Sequence, residues 1–159
     1  MPPCRKKHRL PVDHYRGYGM YFITITTFQR QAVFVFDAVV SHHLDVLDRV
    51  AVKHAFEVPA YCYMPDHLHL LLEAKAKTSD LLAIVGQYKQ KTGYQYKQQT
   101  GRFLWQKSFY DHVVRRDESV HEVVGYILAN PVRRQLAERP GDYPYAGSMA
   151  YGRAVFDNG

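Results

Sequence analysis

The sequence predicts an α+β domain: a split β-α-β antiparallel sheet with helices on one face, plus a C-terminal helix that carries a tyrosine. Three observations predict it. Short runs rich in β-branched and aromatic residues are separated by longer runs with helical periodicity. Their order is strand, helix, strand, strand, helix, strand, helix. No internal repeat or long linker divides the 159 residues, so a single domain over 1–159 is expected.

Residues 1–19 are basic and broken by Pro2, Pro3, Pro11, Gly17 and Gly19, and read as an irregular arm. Tyr21 to Phe28 is rich in β-branched and aromatic residues and reads as the first strand. Asp37 is placed to cap a helix over roughly 38–55, with Val39, Val40, Leu44, Leu47 and Val50 at apolar positions. Val58 to Met64 and Leu68 to Glu73 read as two strands, and Pro65-Asp66 between them is turn chemistry, so they form a hairpin. Ser79 is placed to cap a helix over about 80–98 that buries Leu81, Leu82, Ile84 and Val85 and ends at Thr100-Gly101. A fourth strand falls near the end of 103–114. Asp117 is placed to cap a third helix that stops at Asn130-Pro131. Residues 132–159 read mostly as loop. This element order is that of a ferredoxin-like sheet with one added helix.

Hydrophobic residues make up 47 % and aromatics 14 %, a globular rather than a disordered composition. The net charge of +6 favours an anionic partner, of which nucleic acid is the commonest. Two cysteines make no disulfide framework, so a reducing cytoplasm is the expected setting. No apolar stretch approaches the ~20 residues that span a bilayer. The charged start, Met1 to Pro11, has no apolar run behind it and does not read as a signal peptide.

Two segments carry chemistry. His67 and His69 lie two apart at the start of a strand, so both imidazoles share one face and can chelate one divalent ion. Beyond the pair the strand is apolar on both sides. With nine histidines in the chain, one such pair also arises by chance. His42, His43 and His54 read as surface or satisfied histidines. Tyr126 and Asn130 are four apart, so a helix stacks them on one face. A tyrosine can attack a phosphodiester and hold the product covalently. Free tyrosine has a pKa of about 10, so it needs a metal or a cation nearby. Asn130 offers a hard oxygen ligand. Against this, Tyr126 is one of thirteen tyrosines, and its Val and Ile neighbours suit a core residue. Pro131 also disfavours helical geometry at Asn130.

A third stretch suits nucleic acid. Tyr88, Tyr94, Tyr96, Phe103, Trp105, Phe109 and Tyr110 interleave with Lys89, Lys91, Lys97, Arg102, Lys107, Arg115 and Arg116. Aromatics stack on exposed bases while Lys and Arg follow phosphates. The plain alternative is core aromatics beside a solvated charged face, and it applies to Phe103 and Phe109 in particular.

Together these segments resemble the single-tyrosine HUH transposases, and within them the REP-associated tyrosine transposases. The resemblance rests on Tyr21–Phe28, Pro65–His69, Trp105–His112 and Tyr126–Val132 in that order, with Asp142–Tyr145 and Ser148 near the end. It implies that His67 and His69 hold a divalent metal, Mg²⁺ or Mn²⁺, that Asn130 completes its ligands, and that Tyr126 is the nucleophile. It implies cleavage and rejoining of single-stranded DNA through a 5′-phosphotyrosine, with a folded hairpin beside the cut. Asp66 would orient His67. Arg133 and Arg134 would contact the hairpin, or else cap the helix C-terminus. Relatives include dimers that share a site and monomers, so a homodimer is possible. Two rival readings stand beside this. One is a non-catalytic single-stranded nucleic-acid-binding module of ferredoxin-like fold, with aromatics on the sheet face. The other is a metal-dependent hydrolase in which water attacks and Tyr126 is core.

Overall fold

The computed structural model describes residues 9–157. The first eight residues of the expected arm, Cys4 among them, lie outside the described residues. Five strands form one sheet: β1 (Gly19–Thr26), β2 (Phe56–Met64), β3 (His67–Ala74), β4 (Tyr110–Val113) and β5 (Ala146–Gly147). Their order is β4-β1-β3-β2-β5, and every neighbouring pair is antiparallel. Helix α1 (Asp37–Lys53) joins β1 to β2, α2 (Leu81–Thr100) joins β3 to β4, and α3 (Val120–Leu128) follows β4. The first four strands and two helices are the expected split arrangement. No helix among the described residues is long and apolar enough to cross a membrane.

Strand alternation sorts the side chains onto two faces. Tyr21, Ile23 and Ile25 of β1 and Leu68, Leu70 and Leu72 of β3 pack against Leu47 and Val50 of α1 and Ile84, Val85 and Tyr88 of α2. Each such fully buried aliphatic side chain contributes about 1.5–3 kcal/mol. On the opposite face, Phe22, Ala60, Cys62 and Leu71 meet Val123, Ile127 and Leu128 of α3 and Tyr143 of the tail. So α1 and α2 share one face, and the tyrosine helix lies across the other.

Local chemistry moved the helix starts from where the sequence put them. Asp37 is the first residue of α1, not its cap, and its carboxylate accepts from the Tyr145 hydroxyl at 2.6 Å. Asp80, not Ser79, caps α2, accepting from the Leu82 and Ala83 amides. The Ser79 hydroxyl instead donates to the Ala55 carbonyl at 2.8 Å, tying the α2 entry to the β2 entry. Ser119, not Asp117, caps α3. At the far end of α2, Gly101 takes the left-handed conformation that only glycine adopts freely, and closes the helix as expected.

The helical path does not end at Asn130-Pro131. It breaks at Ala129 and resumes as a short turn, α4 (Asn130–Arg133), with Pro131 in its opening turn. Proline is tolerated there because the first amides of a helix have no partner within it. Proline also explains an irregularity in β2. The β2–β3 register slips between Glu57 and Ala60, which flank Pro59, a residue with no amide to give a ladder.

The ends are tied to the sheet. Tyr15 is buried, and its hydroxyl donates to Asp111 at 2.9 Å. In the tail, Tyr143 donates to the Tyr63 carbonyl at 2.6 Å, and β5 pairs with the β2 edge.

Candidate active site

The turn Pro65-Asp66 brings β3 back along β2 and sets His67 and His69 at its start. They face the α3 side, with ring centroids 4.7 Å apart. Each imidazole is held through Nδ1. His67 Nδ1 lies 2.7 Å from Asp66 Oδ1, and His69 Nδ1 lies 2.8 Å from Thr24 Oγ1. Thr24 sits directly opposite His69 in the β1–β3 register. With Nδ1 engaged, the free lone pair of each ring belongs to Nε2. Burial lowers the pKa of both histidines, that of His69 to about 3. Both rings are therefore neutral near neutral pH and able to ligate a metal.

Asn130 arrives from α4. Its Nδ2 lies 3.4 Å from His67 Nε2, and a turned amide would present Oδ1 there instead. No cluster of three His, Cys, Asp or Glu side chains suited to a metal is found among the described residues, so the donor set beside the imidazoles is this amide. Two oriented, neutral imidazoles and an amide fit a divalent ion.

Tyr126 is half-buried. Its ring meets Phe22 edge-on at 6.0 Å and carries the Arg133 guanidinium over its other contact surface at 4.1 Å. Arg133 also donates to the Tyr126 carbonyl at 2.8 Å. That is the helix-capping alternative for Arg133, with the added effect of fixing the ring. Tyr126, His67, His69, Asn130 and Arg134 line one cleft of about 780 Å³. Thr24, Thr26, Arg30 and Tyr110 line it too. Arg30 pairs with Asp66 at 3.3 Å.

The expected DNA-contacting residues divide. Lys107 is exposed and on the cleft rim. Lys89 is not free for phosphate: its Nζ donates to the Gln106 and Ser108 carbonyls at 2.9 and 2.6 Å. Burial, with the Arg9 charge nearby, lowers its pKa to about 8. Trp105 is no open stacking platform. It is 8 % exposed, and its indole N–H donates to Thr92. Tyr88 is also core, its hydroxyl 2.9 Å from that of Tyr63. Lys91 is exposed and is not among the residues that line the Tyr126 cleft, whereas Arg115 and Arg116 are exposed beside the other end of β4, by Tyr18 and Glu73. Phe103 is exposed, and Phe109 is half-buried beneath the Arg9 guanidinium. Among the histidines outside the site, His43 is not on the surface but in the core, with Nδ1 donating to the Val39 carbonyl.

Sequence reasoning missed Thr24, Arg30 and Arg9. Thr24 was legible in principle, since strand pairing places it opposite His69. Arg9 was not. Its ion pair with Asp111 and its bonds to Ser108 and Phe109 span about a hundred positions of chain.

A family model described as Transposase IS200 like matches residues 18–130. The chain belongs to the IS200-like transposase family. Its likeness to individual members is low in identity and broad in extent. It is 25 % identical over 139 residues to a putative REP-associated tyrosine transposase of Haemophilus influenzae, covering 80 % of this chain and 78 % of that one. It is 22 % identical over 144 residues to the REP-associated tyrosine transposase of Escherichia coli, covering 85 % and 82 %. In fold it resembles a solved REP-associated tyrosine transposase bound to a REP hairpin, with a TM-score of 0.74 at 20 % identity over 89 % of this chain and 81 % of that one. A transposase-like structure from Deinococcus radiodurans aligns with a TM-score of 0.50 at 24 % identity, over 83 % and 98 %. The α+β architecture of this IS200-like transposase is thus shared with solved relatives, and the family is an enzyme family.

Proposed function

We propose that this transposase cleaves and rejoins single-stranded DNA beside a folded hairpin, with Tyr126 as nucleophile. The observation that carries the reading is convergence. His67 and His69 from β3, Asn130 from α4 and Tyr126 from α3 meet in one cleft, although the segments lie some sixty residues apart. The hairpin is suggested by the REP hairpin bound to the structural relative.

In the reaction the Tyr126 oxygen attacks phosphorus and forms a phosphotyrosine ester. The bond from phosphorus to the 3′-oxygen breaks, and that oxygen leaves as a hydroxyl. One O–H is consumed and one is formed, so the step needs no net proton source. One diester replaces another, which lets a second 3′-hydroxyl reverse the step without ATP. Mg²⁺ or Mn²⁺, held by His67, His69 and Asn130, would neutralise charge on the phosphate. Phe22 and Arg133 hold the Tyr126 ring, and Arg134 brings a positive charge to the cleft. Nitrogen donors favour Mn²⁺ over Mg²⁺.

The rival readings fare differently. An RNA-type binding module needs exposed rings on this sheet face, but Phe22 there is 1 % exposed. The hydrolase reading differs in product. The test is labelled hairpin-flanked single-stranded DNA with Mn²⁺, run on a denaturing gel. A protein–DNA adduct lost in Tyr126→Phe and lost with chelator is expected. Cleavage without an adduct would favour the hydrolase and overturn the proposal.

A further inference from the structure

A second groove, of about 570 Å³, runs between α2 and residues 103–109. Its floor is one stripe of α2: Leu82, Gly86, Gly93 and Lys97 recur at helical spacing. Among the described residues no close contact requires a glycine at Gly86. A Cβ there would meet nothing within 4 Å. A glycine inside a helix costs about 0.5–1 kcal/mol relative to alanine, and at Gly86 the missing side chain leaves the floor of the groove open.

The walls are aromatic and the rim is cationic. Phe103 is 58 % exposed and Tyr94 68 % exposed, which is unusual for rings that have a core nearby. Lys97 lies over the Phe103 ring at 4.7 Å. No acidic residue is among those that line the groove. Gln106, Lys107, Ser108 and Phe109 line both this groove and the Tyr126 cleft. Ser108, at φ +65°, marks a tight backbone in this shared wall, which Lys89 and Arg9 staple from two sides.

We propose that this groove takes unpaired nucleotides of the DNA strand that occupies the Tyr126 cleft. Bases stack on Phe103 and Tyr94, and the backbone passes Lys97 and Lys107. Open space above Gly86 admits the flat face of a base. Stacking platforms edged by cations bind single strands without reading sequence. The proposal rests on the cleavage reading for the strand's identity, but its test does not need cleavage.

Trp105 is the chain's single tryptophan and lines the groove, so its emission reports occupancy. The Tyr126→Phe protein in chelator is titrated with a hairpin-free oligonucleotide. Saturable quenching is expected. Gly86→Leu should weaken it about ten-fold, with an unchanged or raised Tm because leucine is the better helix former. Phe103→Ala, at an exposed position, should weaken it with the fold intact. Unaltered binding in both variants, or no quenching, overturns the proposal, as does quenching by an apolar peptide but not by DNA. The same Gly86→Leu change in the chain with Tyr126 intact separates the two readings. A Gly86-dependent DNA signal without any adduct leaves the groove standing and removes the cleavage mechanism. A normal adduct without that signal does the reverse.

Discussion

The two faces of β3 are equally hidden from solvent and chemically unlike. Leu68, Leu70 and Leu72 point to α1 and α2, while His67, His69 and Leu71 point to α3, and all six are less than about a tenth exposed. Each face also holds a buried neutral histidine. On the packed face, His43 sits among Phe34, Tyr63, Tyr88 and Trp105. On the other, His69 stacks on Phe22 at 5.5 Å. The difference lies in what surrounds Nε2. His69 lines a cleft together with His67, Asn130 and Tyr126, whereas His43 Nε2 has no hydrogen-bond partner among the described residues and lines a different pocket, beside His42, Val33, Phe36 and Val39. Burial alone therefore does not mark a functional histidine; convergence with other donors does.

The largest effects should separate the faces cleanly. Leu70→Ala removes packing from the α1/α2 core and should lower stability by about 2–5 kcal/mol. Adduct formation per folded molecule should be unchanged. His69→Ala should abolish the adduct while the protein melts within a few degrees of the parent. Urea unfolding and the adduct gel measure both. An unfolded His69→Ala chain, or a Leu70→Ala chain that is folded but inactive, would break the distinction.

A pH experiment sharpens the comparison at His43. Burial, the first cause, lowers its pKa from the ordinary 6.5 to about 4. The unfolded chain then binds a proton that the folded chain refuses between those values. The stability linked to His43 is complete above pH 6.5 and is lost as pH falls towards 4, amounting to about 3 kcal/mol. The neighbouring Tyr63 and Tyr88 phenols, both raised by burial, stay neutral throughout this range. His69 contributes a fall of the same sign. The useful quantity is thus the parent minus His43→Leu, measured by urea unfolding at pH 7 and pH 4.5. That difference should shift by about 2 kcal/mol or more between the two pH values. A constant difference would mean that His43 takes up its proton in the folded state.

Much of this arrangement was legible from residue patterns. Alternation in β3 places His67 and His69 together, and the helical spacing of Tyr126 and Asn130 survives the break at Ala129 because Pro131 suits an opening turn. What the patterns missed is set by distant partners. Acids and hydroxyls stand side by side before α2 and α3, and the choice between Asp80 and Ser79 turned on Ser79 meeting the Ala55 carbonyl. Trp105 and Lys89 have the composition of a DNA surface, but one is claimed by Thr92 and the other by the 106–108 carbonyls. No local rule distinguishes a lysine that meets phosphate from one that staples a loop.

The smallest expected effect concerns what orients the imidazoles. Thr24 serves His69 from the neighbouring strand, and Asp66 serves His67 from the turn. Asp66 is shared, since Arg30 also draws on its carboxylate. Burial raises the Asp66 pKa, but the His67 hydrogen bond and the Arg30 charge outweigh it and hold the carboxyl below its usual value. Among the described residues the Thr24 hydroxyl bonds His69 without such a competitor. Thr24→Val keeps the shape and deletes the acceptor for the His69 Nδ1 proton, which frees the ring to turn and misplace Nε2. Outer partners of this kind are worth about ten-fold or more in metal affinity. Mn²⁺ titration of the adduct reaction should therefore show a half-saturating concentration about ten-fold higher in Thr24→Val, with the rate at saturating Mn²⁺ close to the parent's. Asp66→Ala should shift His67 in the same way. A Thr24→Val chain that loses rate even at saturating Mn²⁺ would mean that Thr24 contacts the DNA in the cleft, and that the strand facing the histidines binds substrate as well as holding their rings.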